Sequence, residues 1–116
     1  MHAPDDPDDA LASILAELAV SARRSNLARA DVVAQALDAV SEGRLDEAVR
    51  SAALQAAHQL VGSAGTFGVP EASRQAAALE QYLGLSGGPD PAGVGEARGR
   101  LAELRRELDL AHQDEG

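Results

Sequence analysis

The chain has 116 residues, enough for one domain with one modest core. Its 19 acidic residues outweigh 10 basic ones, and the formal charge of −9 argues against a nucleic-acid partner and against an anionic membrane surface. The absence of cysteine excludes a disulfide framework and a zinc–thiolate site. One phenylalanine, one tyrosine and no tryptophan suit close-packed helices and leave little lining for a small-molecule pocket.

Residues 1–8, with Pro4 and Pro7, read as a disordered acidic tail, and residues 9–112 as the folded domain. Asp8 and Asp9 are placed to favour a helix N-terminus. Leu11, Ile14, Leu15 and Leu18 then share one side, and the pattern continues through Val33, Leu37 and Val40. Arg23-Arg24-Ser25-Asn26 weakens that stripe, which leaves one long helix or two. Ser41-Glu42-Gly43 reads as a stop. A second helix is expected from about Leu45 to about Phe67, with Gly68-Val69-Pro70 as a break. The third carries Ala72, Ala76, Leu79 and Leu83, and Leu85-Ser86-Gly87-Gly88-Pro89-Asp90 is a loop. The last shows Val94, Ala97, Leu101, Leu104 and Leu108, and His112 to Gly116 are expected to fray. Short connections between amphipathic helices predict an all-α, up-and-down antiparallel four-helix bundle, with room for an additional N-terminal helix. A monomer is the simplest expectation.

His58 points the wrong way for a core residue. At about 100° per residue, Val49, Phe67, Ala53, Ala56, Leu60 and Ala64 gather on the opposite side of its helix. Ser51, Gly62 and Gly65 lie on its own face, with Leu54, Gln55 and Val61 at the margins. A glycine inside a helix costs roughly 1 kcal/mol relative to alanine, which this chain uses freely. The two glycines therefore mark access to the imidazole, close approach of a neighbouring helix, or a fraying helix end. No Gly-x-Ser-x-Gly elbow, phosphate-binding loop, His-Glu-x-x-His or EF-hand loop occurs, and His2 and His112 read as solvated residues near the termini.

The run His58-x-Leu60-x-Gly62-x-x-Gly65-x-x-Gly68, with Leu79-Glu80 in the following helix, resembles histidine-containing phosphotransfer (HPt) domains. The Gly-Thr-Phe-Gly stretch is similar to the phosphotransfer domain of chemotaxis histidine kinases. The resemblance implies that His58 is the phosphoryl acceptor and that Gly62 leaves room for a partner's acidic site. It implies that Gly65 widens that access and that Gly68 sets the turn. Glu80 falls where chemotaxis-type members place a carboxylate against the imidazole, and Gln81 is a weaker substitute. Such a carboxylate, accepting the Nδ1 proton, fixes the tautomer and raises the basicity of Nε2. The family's common pattern has lysine three residues after the histidine, where this chain has Val61. With Leu54, Gln55 and Gln59, Val61 would instead belong to a rim for receiver docking.

The resulting expectation is a phosphorelay intermediate, not an independent enzyme. It would exchange a phosphoryl group between His58 and the aspartate of response-regulator receiver domains, with a hybrid histidine kinase as a further partner. No metal or cofactor of its own is expected, nor any nucleic-acid or membrane partner. The start of the chain lacks the basic and apolar regions of a signal peptide and no apolar run could span a bilayer, so a cytoplasmic location is the default. Two other readings remain: a phosphorylation-incompetent module that docks a receiver, which Val61 favours, and a generic helical interaction domain in which His58 is incidental.

Overall fold

The computed structural model describes residues 7–115, with side chains to residue 111. Four α-helices follow one another: α1 Pro7–Ser41, α2 Glu47–Thr66, α3 Pro70–Leu83 and α4 Val94–Glu115, with a single 3₁₀ turn, Pro91–Gly93, leading into the last. Successive helices pack side by side, α1 on α2, α2 on α3 and α3 on α4, and α4 closes the bundle against α1. This is the up-and-down all-α bundle that the periodicity predicts, and no strand occurs among the described residues.

The core uses small residues, as the composition requires. Ala30, Val33 and Leu37 of α1 meet Ala53, Ala57, Leu60 and Ala64 of α2. Ala72, Ala76, Leu79 and Leu83 of α3 and Leu101, Leu104 and Leu108 of α4 complete it. Alanine at so many inner positions lets the helix axes approach closely, and the leucines fill what remains.

The structure decides one open alternative and differs from the sequence expectation in three local features. The first helix is continuous, with no separate N-terminal helix among the described residues. The polar stretch that weakens its stripe is accommodated: Asn26 is buried and accepts from Arg29 Nη1 at 2.9 Å, and Arg23 reaches Asp109 of α4 at 2.9 Å. Phe67, expected on the buried stripe, is 41 % exposed. The helix stops at Thr66, and Phe67 sits outside it as the C-cap at φ −94°, ψ 17°, so helical phase no longer governs where its ring goes. The C-terminal residues expected to fray are helical as far as Glu115, and the Arg23–Asp109 pair ties α4 to α1 just before them. Of the expected acidic tail, residues 1–6 lie outside the described residues, and Pro7 and Asp8 already belong to α1.

The helix that carries His58 is well delimited. Asp46 caps α2, its side chain accepting from the Val49 amide at 2.8 Å. Gly68, at φ +78°, makes the reversal into α3, a conformation that an L side chain rarely adopts. Pro70 then opens α3.

Candidate functional site

His58 lies near the middle of α2 with its side chain 75 % exposed, between buried Ala57 and exposed Gln59. Burial of Ala53, Ala56, Ala57, Leu60 and Ala64 turns the opposite face of α2 into the core, so the imidazole must face outward.

Its partner comes from α3. Glu80 Oε2 stands 2.9 Å from His58 Nδ1. A carboxylate oxygen accepts, so Nδ1 carries the proton and donates it. That leaves Nε2 with its lone pair on the solvent side. Glu80 is only about one-third exposed, which restricts where its carboxylate can go. Gln81 instead borders a groove between α3 and α4 with Ala78 and Tyr82.

Two contacts that local sequence does not signal fix the α2–α3 pairing on either side of this hydrogen bond. Ser73 Oγ donates to the Val61 carbonyl at 2.7 Å. Toward the other end, Arg50 donates from Nε to the Leu83 carbonyl at 2.9 Å and from Nη2 to the Leu85 carbonyl at 3.1 Å, satisfying acceptors that the end of α3 leaves open. The register that brings Glu80 to His58 is therefore held from both directions.

The two glycines on the histidine's face have different surroundings. A Cβ on Gly62 would meet nothing within 4 Å, so the space one turn beyond His58 is open. A Cβ on Gly65 would stand 3.6 Å from Ser73 Oγ, an ordinary contact, which places Gly65 at the helix–helix seam. Leu54 and Val61 are half-buried on the α3 side, packed against the core. Gln55 and Gln59 are exposed on the α1 side. They border a shallow groove with Ala28, Arg29, Val32, Ala52 and Ala56. Arg29 of α1 donates from Nε to Gln59 Oε1 at 3.2 Å, which brings a guanidinium to the residue next to His58. Val61 itself offers no charge. His2 lies outside the described residues, as does the side chain of His112.

Against this geometry, a family model for the Hpt domain matches residues 9–114. The chain belongs to the Hpt domain family. Hpt domains are phosphotransfer modules of two-component signalling rather than enzymes in their own right, and they typically interact with response regulators. The helical bundle described above is the architecture of the family. No curated protein and no solved structure matches this Hpt domain closely enough to add to that assignment. No helix among its described residues is long and apolar enough to cross a membrane.

Proposed function

We propose that this Hpt domain is a cytoplasmic phosphorelay intermediate in which His58 Nε2 accepts the phosphoryl group from the phospho-aspartate of a receiver domain and passes it to the aspartate of another. A hybrid histidine kinase is a second source of the same group. The Nε2 lone pair forms the new N–P bond as the acyl-phosphate P–O bond breaks, and the departing electron pair restores the aspartate carboxylate. The Nδ1 proton stays in place, and the positive charge that develops on the ring is offset by the Glu80 carboxylate it points to. Transfer to the next receiver is the same step reversed. The receiver brings its own Mg²⁺ and acidic cluster, and the Hpt domain contributes an oriented nucleophile.

The observation that carries this reading is the 2.9 Å Nδ1–Oε2 contact on an imidazole whose remainder faces solvent. Open space at Gly62 supports it, and Gln55, Gln59, Leu54 and Val61 are the rim on which a receiver would rest. Gly65 contributes at the seam with Ser73, more through packing than through clearance.

Val61 favours one competing reading, a module that docks a receiver without accepting its phosphoryl group. Phosphoryl transfer from a phosphorylated receiver, with wild type and His58→Gln compared, separates the two. An acid-labile, alkali-stable label on wild type alone is the expected result. Receiver binding without label on wild type would establish docking, and neither label nor binding across a broad receiver panel would leave a generic helical domain.

A further inference from the structure

The first half of α1 leaves the bundle with its apolar stripe uncovered. Leu11, Ile14, Leu15 and Leu18 are each between 50 and 55 % exposed. They recur at steps of three and four, so they form one narrow stripe. The stripe keeps the phase of the buried half of the helix. Arg29, about five turns after Leu11, falls on the same line and meets Gln59 of α2. The uncovered stripe therefore faces the space directly beyond the C-terminal end of α2. Phe67 stands at that end, 41 % exposed, bordering a small cleft with Ala19, Ala22, Val69, Leu108 and Ala111.

We infer that this space is filled by the same segment of a second copy, so that two chains pair end to end through antiparallel overhangs. The vacant line is that of α2, which runs antiparallel to α1, and a second α1 entering along it has the required direction. From Val20 back to Pro7 the overhang measures about 20 Å. Overlap of that length is centred near Ile14 and sets Leu11 of each copy against the Glu17–Leu18 stretch of the other. The eight half-exposed stripe residues of the two copies are thereby removed from water together, with a Phe67 ring at each end of the overlap.

Charge selects the orientation. The first turn of α1 holds Asp8 and Asp9, the next charged residue is Glu17, and the first cations are Arg23 and Arg24. Antiparallel overlap lays the acidic start of one helix toward the arginine end of the other, where Arg23 already pairs with Asp109, whereas parallel overlap stacks acid on acid. The same acidity disfavours a membrane as the occupant, since interfacial helices carry Lys and Arg on the polar face. The covered area is below the roughly 800 Å² per partner of a standard interface, so the dimer is expected in the micromolar range. His58 lies about two and a half turns of α2 from the joint, so both histidines stay accessible.

Sedimentation equilibrium of the full chain from about 1 to several hundred micromolar is expected to show reversible conversion from the 11.9 kDa monomer to a dimer. Ile14→Glu and Leu18→Glu, outside the bundle, are expected to weaken association at least tenfold while the thermal transition of the bundle is kept. The chain has no cysteine, so single replacements report orientation. Leu15→Cys is expected to oxidise to a covalent dimer. Leu11→Cys is not, because the two sites lie about 9 Å apart along the axis in the antiparallel overlap. A monomer throughout the concentration range overturns the inference, as does a dimer indifferent to both glutamate variants. Efficient cross-linking through Leu11→Cys overturns the antiparallel arrangement. A monomer that floats with phosphatidylglycerol vesicles would replace the second copy with a lipid surface.

Discussion

Substitution at Gly62 separates stability from transfer. The position is inside α2, exposed, with ordinary helical backbone, and an added Cβ meets nothing within 4 Å. Gly62→Ala therefore adds no clash and removes the helix penalty of glycine, a gain of about 0.5–1 kcal/mol. For a domain of this size that raises Tm by about 3–5 °C. Gly62→Leu shares most of the gain, since leucine is also a good helix former. Its side chain, however, stands one turn from His58 on the same face, where Cβ atoms are about 5–6 Å apart. It would occupy the approach to Nε2, and a displacement of the incoming phosphoryl group by about 1 Å costs on the order of 100-fold in rate. The expected series is thus a small decrease in transfer for Ala and a decrease of about 100-fold or more for Leu, both in proteins at least as stable as wild type. Thermal melts by circular dichroism and single-turnover transfer from a phosphorylated receiver measure the two quantities. Wild-type transfer in a folded Gly62→Leu protein would refute the access argument, and a lowered Tm for Gly62→Ala would refute the geometry behind it.

Three further outcomes are expected. Glu80→Ala should slow transfer about 10- to 100-fold, short of abolishing it, and shift stability by no more than about 0.5 kcal/mol, because its partner His58 is three-quarters exposed and the pair is screened by solvent; single-turnover rates and a denaturant titration check both. Burial, and secondarily the Asp90 carboxylate, raises the pKa of the Tyr82 phenol, whose hydroxyl donates to the Asp90 carbonyl at 2.6 Å. A raised folded-state pKa gives stability that is whole below the unfolded value of about 10 and is lost as pH rises through the folded value. The absorbance of the single tyrosine at alkaline pH should therefore titrate above that of the urea-unfolded chain, and Tyr82→Phe should flatten stability across the same range. A Cβ at Gly93 would lie 2.9 Å from Tyr82 Cε1, so Gly93→Ala must displace the ring and should destabilise by about 1–3 kcal/mol in a denaturant titration.

What could be read from the residues was whatever depends on helical phase. The outward direction of His58 followed from the positions of Ala53, Ala56, Leu60 and Ala64, and all four are buried. Glu80 was reached through the resemblance, and the structure brings it within hydrogen-bond distance of the ring. Phase could not assign the two glycines, because the side chain that meets Gly65 belongs to another helix. Nor could it foresee that α1 is unbroken: Asn26 looks like an interruption until Arg29 is seen to satisfy it. Ser73, Arg50 and Arg29 went unnoticed for the same reason. Each acts on a residue of a different helix, and a one-helix pattern carries no record of which neighbour it faces.

Among the described residues, the imidazole of His58 sits on an exposed helix face with nothing closing over it. A group held there is surrounded by bulk water until another protein supplies the walls. Among the described residues the ring's hydrogen-bond partner is Glu80, which in the proposed relay orients the imidazole and neither gates entry nor times release. Under the proposed relay, the direction of the signal would be set by the relative abundance and phosphorylation of the proteins the domain meets, and the domain would act as a reversible buffer between them.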